Sequence, residues 1–248
     1  MKYNLCVSIP FKFISIKDSK SVIHHAIKSK PDLIELRFDY IPNVKIISTD
    51  FLKRLLNLIH PHATVIFTFR NSSEGGQIEI QQHERFKIIK IFIETKPDYI
   101  DIEMNTNDNH LKEIINLASQ RGIKLIFSYH NLVKTLTYDE GTDLIHHFYD
   151  KLIKRLSMNP QMLRDNIYKI IFTAQTFEDN LIPLKICKNY SNSNQRIISF
   201  CIGTLGVFSR IMCVTNGSFM TYASLDEQTA PGQINIYKMK EIYNLILN

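Results

Sequence analysis

Eight short β-rich segments, most separated by a stretch with helical spacing, constrain this chain more than any other feature of its sequence. The segments are Leu5–Ile9, Leu33–Asp39, Val65–Arg70, Tyr99–Met104, Lys124–His130, Ile167–Ala174, Arg196–Ile202 and Ser218–Leu225. The helical stretches are Ser21–Ser29, Phe51–Ile59, His83–Glu94, Asn109–Gln120, Gly141–Leu156 and, after the last strand, about 235–247. A short helix is expected within Thr204–Val214, and the fifth crossover is the longest and contains Pro160. Alternating β and α units require parallel strands joined by crossovers. Eight such units fit a closed (β/α)8 TIM barrel of the α/β class, which typically takes about 250 residues. The chain has 248. An open doubly wound sheet is the alternative, but no glycine-rich phosphate fingerprint follows the first strand. No low-complexity linker divides the chain, so residues 1–248 are read as a single barrel domain.

The net charge of +6 points to anionic partners, either nucleic acid or a small acidic substrate. The basic residues are scattered through segments such as Lys12–Lys20 and Lys134–Arg164, as on solvated surfaces. There is no zinc-finger spacing, basic heptad helix or aromatic RNP-like strand, so no nucleic-acid partner is expected. Cys6, Cys187, Cys201 and Cys213 form no CxxC pair and read as reduced thiols of a cytoplasmic protein. The first ten residues lack the apolar core and cleavage site of a secretory signal. No apolar run approaches the roughly 18–20 residues that span a bilayer, so no membrane partner is expected.

Lys169 lies in the middle of the apolar run Ile167-Tyr168-Lys169-Ile170-Ile171-Phe172. A lysine in a buried strand must reach water, pair with a carboxylate or lose its proton. A free amine is a nucleophile for a carbonyl, which makes Lys169 a candidate Schiff-base residue. In a barrel the active site forms at the C-terminal strand ends. Those ends carry more ionisable chemistry here. Alternation in strand two puts Glu35, Arg37 and Asp39 on one face, either paired among themselves or gripping a hydroxylated ligand.

Strand three ends at Arg70, before the polar loop Asn71-Ser72-Ser73-Glu74-Gly75-Gly76. Strand four carries Asp101 and Glu103 on one face, and strand five ends in His130, a residue suited to acid–base work. Thr173 and Gln175 share the parity of Lys169. The last two loops supply Gly203, Gly206, Ser209 and Arg210, then Thr229-Ala230-Pro231-Gly232-Gln233. Together these residues set an amine, an imidazole, carboxylates and three arginines around one barrel mouth.

The chain resembles type I 3-dehydroquinate dehydratase from Leu5 to its end. The resemblance rests on Glu35-Leu36-Arg37-Phe38-Asp39, Phe67-Thr68-Phe69-Arg70 with Glu74-Gly75-Gly76, and Ser128-Tyr129-His130. It continues through Lys169-Ile170 with Gln175 downstream, Gly206-Val207-Phe208-Ser209-Arg210 and Ala230-Pro231-Gly232-Gln233. It implies a (β/α)8 barrel that dehydrates 3-dehydroquinate to 3-dehydroshikimate without metal or organic cofactor, and in many members a homodimer. By that resemblance Lys169 forms the imine, His130 acts first as general base and then as general acid, and Glu74 orients it. Arg210 resembles the clamp for the substrate carboxylate. Glu35, Arg37 and Arg70 resemble the groups that hold ring hydroxyls, with Thr229 and Gln233 on the closing loop. Thr229 departs from the usual serine by one methyl, and Leu132 stands where an aromatic is common.

The chemistry explains these residue types. A C–H next to a ketone is too weakly acidic for imidazole, whereas a protonated imine is a far better electron sink. Hydroxide leaves poorly and needs a general acid. Guanidinium groups match a carboxylate. A class I aldolase would share the lysine and the barrel, but not the acidic strand-end pattern or the Ala-Pro-Gly-Gln loop. A catalytically dead scaffold would not be expected to keep both Lys169 and His130.

Overall fold

The computed structural model describes residues 3–193 and 195–247. Met1, Lys2, Asn194 and Asn248, and with them the outer bounds of the expected 1–248 domain, lie outside the described residues. The strands are β1 (Leu5–Pro10), β2 (Leu33–Arg37), β3 (Thr64–Thr68), β4 (Tyr99–Glu103), β5 (Lys124–His130), β6 (Ile167–Thr173), β7 (Arg196–Ile202) and β8 (Thr221–Ser224). They form one parallel sheet in the order β7-β6-β5-β4-β3-β2-β1-β8. Across the remaining seam the Phe219 N–H donates to the Ile197 carbonyl at 2.7 Å, which brings the sheet nearly into a closed barrel. The architecture is the (β/α)8 barrel that the strand count calls for.

The helices are α1 (Ile16–Lys28), α2 (Thr49–Ile59), α3 (Gln82–Thr95), α4 (Asp108–Arg121), α5 (Tyr138–Asp150), α6 (Pro160–Leu163), α7 (Leu181–Asn192), α8 (Val207–Met212) and α9 (Ile236–Ile246). Their apolar stripes explain why they lie on the sheet. In α2, Leu52, Leu55, Leu56 and Ile59 are buried, and in α4, Leu111, Ile114, Ile115 and Ala118 repeat that spacing. Ser48 caps α2 by accepting the Phe51 N–H, and Thr137 with Glu140 closes a capping box at the start of α5.

Three details differ from the sequence expectation. Strand β2 stops at Arg37, and Phe38–Tyr40 turn into a 3-10 helix, so Asp39 is not a strand residue. Helix α5 gives way to a π turn at Lys151–Arg155, and α6 begins at Pro160, where a missing N–H costs nothing. Helix α7 was not anticipated. Its buried stripe is Pro183, Ile186, Cys187 and Tyr190, and a proline as its first member hides the period.

Side chains on the outer barrel face pack under the helices. Phe38, Phe67 and Phe92 form a triangle with ring centroids 5.0 to 5.2 Å apart. Inner-face residues of β2 to β6 include the ionisable groups, which are therefore held by a rigid frame. Phe67→Ala should lower stability by about 3–5 kcal/mol through loss of this packing. A urea titration should show a lower midpoint with an unchanged slope; an unaltered midpoint would mean that the triangle does not contribute to stability.

Candidate active site

Asp101, on β4, is the centre of the inner polar cluster and is fully buried. It accepts from Lys169 Nζ at 3.0 Å, Arg70 Nη2 at 2.8 Å and Ser128 Oγ at 2.6 Å. Burial alone pushes its carboxyl upward. The opposing charges of Arg70 and Lys169, with the Ser128 hydrogen bond, outweigh that and hold it well below the usual carboxylate range. Of the three ways to accommodate a buried Lys169, the structure shows pairing with a carboxylate. Arg70 also donates to Glu103 at 2.9 Å and to Ser128 at 2.7 Å. Glu103 in turn accepts from Arg85 and from the Asn71 backbone.

On β2, Arg37 makes two parallel hydrogen bonds to Asp39, both 2.8 Å. Glu35 instead takes only hydroxyls: Thr68 Oγ1 at 2.8 Å and Ser8 Oγ. Among the described residues it has no ion pair. The loop after β3 is shaped by its glycines. Gly75 has φ +88°, and a Cβ on Gly76 would lie 2.0 Å from the Arg70 carbonyl oxygen. This tight return places Glu74 under the end of β5.

Glu74 Oε2 accepts both the His130 backbone N–H at 3.0 Å and His130 Nδ1 at 2.9 Å. Burial pushes the Glu74 carboxyl up to about 8, despite the nearby Arg70. Burial, reinforced by Arg70 and Lys169, holds the imidazole well below its ordinary range. The pair is thus a neutral one. With Oε2 taking two N–H donors, the assignment that satisfies both puts hydrogen on Nδ1 and leaves the Nε2 lone pair free.

Arg210, from α8, is buried to 1% exposure, with no carboxylate beside it among the described residues. Its Nη2 donates to the Pro231 carbonyl at 3.2 Å, its plane covers Phe200 at 4.5 Å, and its Nε has no partner among the described residues. Burial lowers this guanidinium to about 10. The loop between β8 and α9 folds over it. Thr229 Oγ1 donates to Ser8 Oγ at 2.9 Å, and the Gln233 side chain accepts the Thr229 N–H at 2.6 Å. The extra methyl of Thr229 leaves its hydroxyl in use.

One cavity at the C-terminal mouth of the barrel is lined by the nine residues to which the resemblance gives roles: Lys169, His130, Glu74, Glu35, Arg37, Arg70, Arg210, Thr229 and Gln233. Leu132 lies at its rim beside Gly75. Gln175 does not join it; exposed, it donates to the Val133 carbonyl at 2.6 Å. Asp101 and Ser128, noted in sequence only as strand residues, prove to be central partners. Tyr222 lines the cavity and was missed, since a tyrosine in a strand looks like ordinary packing.

Residues 5–248 match the model of the family described as type I 3-dehydroquinase. A 3-dehydroquinate dehydratase of Methanobrevibacter smithii is 31% identical over 98% of this chain and 96% of its own length. One of Thermococcus onnurineus is 28% identical over 93% and 94%. The crystal structure of a type I 3-dehydroquinate dehydratase from Clostridium difficile with covalently modified comenic acid superposes with TM-score 0.82. It is 26% identical and the match covers 99% of this chain and 92% of that one.

The raised Glu74 carboxyl has a measurable consequence for stability. An unfolded glutamate titrates near ~4.3, so between there and about 8 the folded state holds a proton that the unfolded state has released. Stability must fall as pH rises through that window. The low imidazole works the other way, but only below about pH 6.5. From about pH 6.5 to 8 the wild type should therefore lose about 2 kcal/mol relative to Glu74→Gln. Denaturant titrations of both proteins across that range would read it, and a flat difference would show that the carboxyl is not raised.

Proposed function

The chain belongs to the type I 3-dehydroquinase family and is an enzyme of that kind, and on that premise we propose that it converts 3-dehydroquinate to 3-dehydroshikimate through an imine on Lys169. The observation that carries this reading is the meeting, in one cavity, of an amine, an imidazole held at Nδ1 by Glu74 and a buried arginine with no acidic partner among the described residues. The Clostridium difficile relative, whose structure holds a covalently modified comenic acid, is consistent with covalent chemistry in this fold.

The steps balance with these groups alone. Lys169 passes one proton to His130 Nε2 and attacks the ketone carbon. That proton, returned, and one from the lysine nitrogen leave with the carbonyl oxygen as water. A protonated imine remains. His130 Nε2 then removes the neighbouring C–H proton, and the electron pair moves into the enamine. As the pair returns, the ring hydroxyl departs with the proton that His130 holds, giving water and the conjugated imine. A water molecule hydrolyses that imine and restores the amine. Asp101, held strongly ionised, is a poor resting place for the lysine proton but a good anchor for Nζ. Glu74 fixes the imidazole so that Nε2 is the base.

Arg210 is the group left to meet the substrate carboxylate, because Arg37 and Arg70 already hold acids. Glu35, Arg37, Arg70, Thr229 and Gln233 are assigned to the ring hydroxyls and the covering loop. The four cysteines are free and buried, in keeping with a reduced cytosolic setting, and among the described residues no helix is long and apolar enough to cross a membrane. A single barrel domain and a homodimer remain parts of the proposal, the latter carried by the resemblance alone.

Incubation with 3-dehydroquinate and borohydride, followed by peptide mapping, should place a ligand adduct on Lys169. Lys169→Ala should give neither adduct nor turnover, and wild-type turnover by that variant would end the covalent reading. His130→Ala should still form the adduct, more slowly because solvent must then carry the lysine proton, while product formation falls by about 10²–10⁴-fold; rapid product release by it would remove His130 as the acid–base group. For Arg210→Ala, weaker substrate binding by about 2–5 kcal/mol is expected, seen as a raised KM. An unchanged KM would move the carboxylate clamp elsewhere.

A further inference from the structure

Five buried side-chain atoms have no hydrogen-bond partner among the described residues: Glu74 Oε1, Arg210 Nε and the hydroxyls of Tyr222, Thr106 and Tyr190. Three of the five belong to residues that line the candidate active site. Buried polar atoms are nearly always paired, so such clustering points to groups that a ligand completes. Glu74 and Arg210 already have roles in the proposed reaction. Tyr222 has none.

Its position follows from the sheet. β8 pairs with β1 in the register Tyr222↔Cys6 and Ser224↔Ser8. Ser8 points inward to Glu35, so alternation puts Tyr222 on the same inner face. Its ring lies with Lys169 Nζ 4.6 Å from the centroid, and the Phe200 ring is 6.2 Å away on the cavity wall. An apolar ring would serve equally to pack here. The hydroxyl adds a buried donor that the protein itself leaves unused.

We propose that the Tyr222 hydroxyl is a substrate-contacting group that donates a hydrogen bond to the oxygen on the carbon attacked by Lys169; this rests on the imine reading above. Nζ lies against the Tyr222 ring and both residues line the cavity, so a ketone that reaches the amine enters beside this tyrosine. As the N–C bond forms, the carbonyl π electrons move onto oxygen, and a hydrogen-bond donor at that oxygen stabilises the charge. The phenol keeps its own proton throughout. Burial, with Glu35 and Asp101 nearby, pushes it well above its ordinary range. It is therefore a fixed dipole and not a proton source, and the protons of the departing water still come from Lys169.

The test is Tyr222→Phe, with wild type alongside. In single-turnover borohydride trapping, imine formation should slow by about tenfold or more, while the ligand-free variant melts at the wild-type temperature or above it, since an unpaired hydroxyl is removed. An analogue with a methylene in place of the ketone should bind both proteins equally. Wild-type imine formation by the variant would overturn the proposal, as would a lower melting temperature with unchanged trapping, or selective loss of the methylene analogue. Absence of any adduct in the wild type would instead overturn the imine reading, and this proposal with it.

Discussion

The Asp101 carboxylate is the interaction on which the rest of the site depends. It stands on β4, and two strands and one strand-end residue converge on it: β6 supplies the amine, β5 the serine and the end of β3 the guanidinium. Removing it would leave Lys169 and Arg70 as buried cations short of a partner. Breaking such a pair is costly, yet replacing the whole cluster by packed apolar residues is often neutral or stabilising. The cluster is therefore better explained by chemistry than by folding. Its second tier, Glu103 held by Arg70, Arg85 and the Asn71 N–H, fixes the Arg70 guanidinium in place at the cavity wall.

Against that paired background, two groups are left open. Among the described residues, Glu35 is a buried carboxyl group held by hydroxyls and no cation, and Arg210 is a buried cation with only a carbonyl and an aromatic face. Both line the same cavity. A ligand that brings a carboxylate to Arg210 and a hydroxyl to Glu35 would satisfy both at once, which is the pattern of a hydroxylated ring acid. The neutral His130–Glu74 pair belongs to the same logic. The surroundings are already rich in charge, and burial makes another ion pair there unfavourable.

The barrel was legible because parallel strands buried on both faces read as apolar runs, and helices on the outside read as stripes. What escaped was set by contacts distant in sequence. Lys169 and Asp101 are 68 residues apart, so the acid that receives the amine could be noted but not paired. Gln175 shares the parity of Lys169, but β6 ends at Thr173, and beyond a strand parity no longer fixes direction. Strand β2 ends at Arg37 and Asp39 lies in the 3-10 turn that follows, yet the two still pair, so their contact was legible while the strand end was not. Tyr222 was invisible because a functional hydroxyl and a packing ring are the same letter until the partners are counted.

The closing loop shows how backbone geometry serves this charge arrangement. Gly232 has φ +75°, and a Cβ there would lie 2.3 Å from the Gly203 carbonyl oxygen, so only glycine lets the loop lie flat on the end of β7. The Gly203 N–H then donates to the Pro231 carbonyl at 3.1 Å, and Arg210 Nη2 donates to the same oxygen. Thr229 ties the far side of the loop to Ser8, which holds Glu35. The loop is thus fastened at one end to the open cation and at the other to the open carboxyl. A ligand that engages both would also brace both attachments of its own cover, which couples recognition of the acid to exclusion of water from the amine.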